Sequence, residues 1–151
     1  MIQYFLSILF ICAGFLTIAT CVKKTEVHFP PEKLGMIFEV TAKCIAETGV
    51  QPDIVFQLSK NSQELKNKDE KEKKDIHKFL ACSFQKSGYS KKNGHVKTDK
   101  IIAELFPDVT DKETLRRVFQ ECDNNNGTSP IEILTKFLVC FKEKSPVKVV
   151  L

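Results

Sequence analysis

The stretch CDNNNGTSPIEILTKFLVC, from Cys122 to Cys140, joins a polar turn to an apolar helix between two cysteines. Asn124, Asn125, Asn126, Gly127 and Thr128 are turn formers, whose short polar side chains or missing Cβ let the backbone leave a helix. Ser129 then supplies an N-cap oxygen, and Pro130 the fixed φ that suits a first helical position. Beyond it, Ile131, Ile133, Leu134, Phe137, Leu138, Cys140 and Phe141 cover well over half the circumference at about 100° per residue, leaving Glu132, Thr135 and Lys136 for solvent. A helix coated so widely is wrapped by others, and the rest of the chain is read as its wrapping.

At the other end, residues 1–21 carry no charge and run YFLSILFICAGFLTIATC from Tyr4 to Cys21. This reads as a secretory signal, cleaved after Cys21 with Ala19 at the minus-three site, or after Ala19 or Thr20. A membrane anchor is the alternative, since at about 1.5 Å per residue the segment just spans a bilayer. The remainder, 22–151, is long enough for one domain with a real core. Its net charge of +4 comes from interleaved lysines and glutamates, which favours solubility and argues against a nucleic-acid partner.

Cys44, Cys82, Cys122 and Cys140 survive cleavage, and in a secreted chain they read as two disulfides, with three pairings open. No C-x-x-C motif occurs, and His28, His77 and His95 lie at no ligand-like spacing, so neither zinc nor another cofactor is expected. Asp123-Asn-Asn-Asn-Gly resembles the start of a calcium loop, but Gly127 stands where a fifth-position acid or amide belongs and Leu134 where the twelfth-position glutamate belongs.

In chain order, Val22 to Pro31 reads as extended or loose. A first helix covers Glu32 to Thr48 with Leu34, Ile37, Phe38, Thr41, Cys44 and Ile45 inward and Gly49 as its stop. A short helix runs from Pro52 to about Ser59, and Lys60 to Lys74 is a charge-dense, solvated run. The next helix runs from Asp69 to Lys86, with Ile76, Phe79, Leu80, Cys82 and Ser83 inward and an acidic first turn that suits the helix dipole. Thr98 caps a short helix carrying Ile101, Ile102, Leu105 and Phe106, ended by Pro107. Asp111 caps Lys112 to Cys122, whose inward face is Leu115, Val118, Phe119 and Cys122. The expected fold is all-α, six short helices without strands. The apolar tail PVKVVL, Pro146 to Leu151, either frays or folds back over something apolar.

This cysteine frame resembles the insect odorant-binding proteins, the pheromone-binding and general-odorant-binding group. That family has a signal peptide, six helices and six cysteines, the second and third separated by three residues and the fifth and sixth by eight. Counting back by those spacings from Cys82 and Cys140 lands on Lys78 and Ile131. Because the two absent cysteines are partners in the family, one bridge is lost and no orphan thiol remains, the pattern of its minus-C branch. The resemblance implies the bridges Cys44–Cys82 and Cys122–Cys140. It covers nearly all of 22–151, with an insertion near Asn61 to Glu70. Lys78, one turn before Cys82 on the same helical face, is expected to reach the surface beside Ile131, because burying its ammonium is costly.

The family's function would be carriage of a small hydrophobic molecule in an internal apolar cavity. The expected lining is Phe56, Phe79, Ile102, Phe106, Val118, Phe119, Leu134, Phe137 and Leu138, with Thr41 or Ser83 as a polar anchor and the tail Val147 to Leu151 as a lid. Further partners would be a membrane receptor and a second copy of the chain. Release by pH would fall to His95, for which a plain exposed histidine is the simpler reading. Asn126-Gly127-Thr128 is a glycosylation sequon. Two other classes stay open. One is a secreted helical signalling or toxin-like protein acting through its surface on a receptor. The other, an enzyme, lacks support, since there is no G-x-S-x-G and His77 beside Asp75 and Ile76 forms no catalytic arrangement.

Overall fold

The computed structural model describes residues 24–60 and 68–150; the signal segment, most of the proposed insertion and Leu151 lie outside them. Among the described residues six helices follow one another: α1 (Leu34–Thr48), α2 (Pro52–Lys60), α3 (Glu70–Lys86), α4 (Thr98–Leu105), α5 (Lys112–Asp123) and α6 (Pro130–Lys144). They are joined by two short strands, β1 (Thr25–His28) and β2 (Val147–Val150), paired in parallel with Thr25 opposite Val147 and His28 opposite Val150. The strands correct the expectation of a strand-free chain, while Val22 to Pro31, read as extended or loose, is extended over Thr25–His28. The β-branched tail forms a strand because β1 lies beside it, and the Thr25 N–H donates to the Pro146 carbonyl at 2.9 Å. The tail therefore folds back, and Val147 is buried.

Helix starts follow local chemistry. Asp69, Asp111 and Ser129 accept the N–H groups of Glu72, Thr114 and Glu132 at 2.7, 2.9 and 3.2 Å, as N-caps do. Those bonds from Thr114 hold the Asp111 carboxyl below its ordinary value. Glu132 reaches back to the Thr128 N–H at 2.8 Å and hydroxyl at 2.6 Å, a variant of the capping box. Its carboxyl falls to about 2, through Lys136 first and then Thr128. Two starts differ from expectation. A 3-10 turn over Pro31–Lys33 precedes α1 and contains Glu32, and Thr98 is the first helical residue of α4, preceded by Lys97, which makes no side-chain cap.

Disulfides join Cys44 to Cys82 and Cys122 to Cys140, with Cα atoms 5.8 and 5.5 Å apart. Closing loops of 38 and 18 residues restricts the unfolded chain by about 4 and about 3 kcal/mol in the chain-entropy model. The second closes the Asn-rich turn, where the Asn125 amide donates to the carbonyls of Cys122 at 2.9 Å and Ile133 at 3.3 Å.

Burial divides into two clusters. The larger gathers Tyr89, Val96, Ile101, Ile102, Phe106, Leu115, Phe119, Cys122, Leu134, Phe137 and Val147 from α4, α5, α6, β2 and the segment before α4. The smaller gathers Cys44, Val50, Ile54, Ile76 and Phe79 from α1, α2, α3 and the loop between α1 and α2. The packing of α3 on α6 joins them. Leu34 and Phe38, expected inward, are 37% and 68% exposed. The bridge at Cys44 secures the C-terminal half of α1 to α3, and only Cys44 on this helix is buried. Among the described residues no helix is long and apolar enough to cross a membrane.

Candidate ligand-binding site

Four phenylalanine rings meet in the larger core. Phe119 of α5 lies 4.6 Å from Phe141, 5.4 Å from Phe137 and 6.2 Å, edge to face, from Phe106, measured between ring centroids. Phe137 and Phe141, one turn apart on α6, stack at 5.7 Å. Helical spacing brings the α6 pair together, and the tilted and edge contacts suit the ring quadrupoles. Ile102 and Leu134 are buried in this cluster, and Val118 and Leu138 pack against it half-buried. The structure thus brings together Ile102, Phe106, Val118, Phe119, Leu134, Phe137 and Leu138.

The remaining candidates stand apart. Phe79 is buried in the smaller cluster, and Phe56 on α2 is 64% exposed. Thr41 is half-buried on α1. The Ser83 hydroxyl donates to the Phe79 carbonyl at 2.9 Å within its own helix, a back-bond that satisfies it locally. Sequence reasoning left out Phe141, although its spacing from Phe137 signals a shared face. Buried Tyr89 was also left out, since nothing in the flanking SGYSKK marks it as inward.

Polar groups border the apolar cluster. The Tyr89 hydroxyl donates to Glu104 Oε2 at 3.1 Å, an oxygen that also takes Lys33 Nζ at 2.9 Å. Burial first, then Glu104, pushes the Tyr89 phenol up to about 12. The Lys33 bond holds the Glu104 carboxyl below its ordinary value, with Tyr89 adding to it. His95 Nδ1 lies 3.1 Å from both the carboxylate and the carbonyl oxygen of Asp123, and the same carboxylate oxygen accepts the Val96 N–H at 3.0 Å. His95 is therefore part of a turn lock rather than a free side chain.

Two clefts lie along the seam between α3 and α6. One, of about 230 Å³, is lined by Lys78, Ala81, Cys82, Gln85, Ser90, Lys91, Lys92, Gly94, Pro130, Ile131 and Leu134. The other, of about 500 Å³, is lined by Glu70, Lys73, Lys74, His77, Lys78, Ser129 and Ile131. Burial lowers the His77 pKa there. Lys78 and Ile131 line both clefts, and the Lys78 ammonium sits 3.3 Å from Asp75 with its side chain 41% exposed, the surfacing expected of a lysine on a half-buried face. A third cleft, of about 280 Å³, runs beside β1, Pro146 and Asp108 to Asp111. None of the four rings lines these three clefts; Leu134 connects the first of them to the ring cluster. Among the described residues no group of three or more His, Cys, Asp or Glu is placed to hold a metal.

The model of the PBP/GOBP family matches residues 26–144. Among solved structures, the fatty acid binding protein OBP56a from the oral disk of the blowfly Phormia regina shares the fold, with a TM-score of 0.58 at 20% identity, over 78% of this chain and 96% of that one. No curated protein matches the chain.

Proposed function

This chain belongs to the PBP/GOBP family, and we propose that it is a secreted carrier that takes a small hydrophobic molecule, an odorant, pheromone or similar semiochemical, through aqueous fluid. The observation that carries this reading is the convergence of Phe106, Phe119, Phe137 and Phe141 with Ile102, Val118, Leu134 and Leu138 in one apolar cluster. These side chains form the ligand pocket, opening as the guest separates the rings. Burying apolar ligand surface yields about 25 cal/mol per Å², so the roughly 8 kcal/mol of micromolar affinity needs a few hundred Å² beyond what offsets parting the rings and ordering the ligand. The blowfly protein of the same fold is a fatty acid binding protein, which supports the ligand class. Uncharged residues 1–21 and two disulfides fit an oxidising, extracellular setting.

A second reading follows from the closeness of the rings. With Phe119 only 4.6 Å from Phe141, a filled core and a receptor-binding surface form the alternative. Saturable uptake of an apolar fluorescent probe, weakened by Phe119→Ala, separates the two.

A further inference from the structure

The segment between α3 and α4 is a small hairpin fastened on every side. Lys91 N–H donates to the His95 carbonyl at 2.7 Å, Gly94 N–H to the Lys91 carbonyl at 3.0 Å, and Lys97 N–H to the Tyr89 carbonyl at 2.8 Å. Ser90 and Val96 form an antiparallel bridge, and Asp123 holds both His95 and Val96. The tip is pressed onto the start of α6, where a Cβ on Gly94 would stand 2.3 Å from the Pro130 carbonyl oxygen. Lys91 and Lys92 ride on this tip, and both line the inner seam cleft together with Lys78. The ammonium groups of Lys91 and Lys92 pair with no carboxylate among the described residues, while Lys78 shares one contact with half-buried Asp75. The apolar part of the same cleft is Ala81, Ile131 and Leu134, and Leu134 belongs to the ring cluster.

Cations at the rim of a cleft whose apolar lining includes a residue of the hydrophobic core suit an amphipathic anion. We propose that Lys78, Lys91 and Lys92 hold the carboxylate head of a long-chain acid, whose hydrocarbon tail passes Ile131 and Leu134 toward the rings. This rests on the carrier reading and specifies its cargo. The bonds that hold the hairpin fix the main chain from which the two exposed lysines project, so binding has only their side chains left to order. A charge-assisted bond to a carboxylate is stronger than one to a neutral ester or alcohol. The preference is for the acid over its methyl ester, with tail length adding affinity separately.

The test is probe displacement at neutral pH from the oxidised protein, by a saturated long-chain acid, its methyl ester and the matching alcohol, repeated with K91Q/K92Q and with K78M. The hairpin lysines are exposed, so the double variant keeps the fold, as circular dichroism would verify. The wild-type protein should bind the acid at least tenfold more tightly than the ester. That ratio should fall to about threefold or less in K91Q/K92Q and decline in K78M, with ester affinity unchanged. An acid preference that persists in both variants, or equal affinity for acid and ester in the wild type, overturns the headgroup site while leaving the carrier reading intact. Failure of every competitor and of the probe itself overturns both.

Discussion

Gly94 approaches Pro130 so closely that a Cβ on the glycine would stand 2.3 Å from the Pro130 carbonyl oxygen and 2.7 Å from its Cα. Its φ of 93° is also one that side-chain-bearing residues rarely adopt. The opposing atoms are backbone at a helix start, so neither side can yield by a rotamer change. Gly94→Ala should therefore cost about 2–4 kcal/mol, combining clash and backbone strain, read as a lower denaturant midpoint at unchanged slope. A loss under about 0.5 kcal/mol would mean that the hairpin is not seated on α6.

Cys122 and Cys140 close an 18-residue separation around the Asn-rich turn. Replacing both by serine should destabilise the protein by about 3 kcal/mol, and the Cys44–Cys82 pair, spanning 38 residues, by about 4 kcal/mol. Urea denaturation of the two double variants measures both, and mapping of cystine peptides would contradict the assignment if any other pairing were found.

Lys78 and Ile131 face the same two clefts from α3 and α6, at the positions the cysteine spacing assigns to a missing bridge. Lys78→Cys with Ile131→Cys should oxidise to a third disulfide and raise stability by up to about 4 kcal/mol. It should also abolish the acid preference contributed by Lys78. Persistence of two free thiols under oxidising conditions would show that the two helices are not aligned as described.

Tyr89 is the only tyrosine after Tyr4, so in protein starting at Val22 tyrosinate absorbance reports this residue alone. Its phenol is raised to about 12, by burial first and then by Glu104, above an unfolded value of about 10. The neutral form is thus favoured in the fold. The associated stability is complete below pH 10 and is lost as pH rises from 10 toward 12. The native absorbance midpoint should lie well above that in urea, and Glu104→Gln should bring it down. Identical native and urea midpoints would place the ring in water.

The cysteine frame and helix signals made most of the fold legible, because caps and apolar spacing act over a single turn of chain. Ser129, Asp111 and Asp69 could be read as starts for that reason. The β1–β2 pair could not. Each strand is four residues long, and Thr25 meets Val147 across almost the whole chain, so the partner that stabilises each strand is invisible locally. Phe38 illustrates a second limit. Its spacing marks it as inward, but the bridge at Cys44 secures only the far half of α1, and Phe38 remains exposed. At the site, rings one helical turn apart were readable, whereas the Lys91–Lys92 tip depends on Gly94 meeting Pro130, a contact that periodicity does not encode.

The central claim is tested most directly by displacement of an apolar fluorescent probe from the oxidised, two-disulfide protein, with long-chain alcohols, esters, acids and terpenoids as competitors. The protein has no tryptophan, so the probe carries the signal. The carrier account predicts saturable one-site uptake with micromolar or tighter competition by particular compounds, weakened by Phe119→Ala in protein that remains folded. A folded wild-type protein that takes up no probe at any concentration below the probe's own aggregation would contradict it, and the receptor-binding reading would take its place.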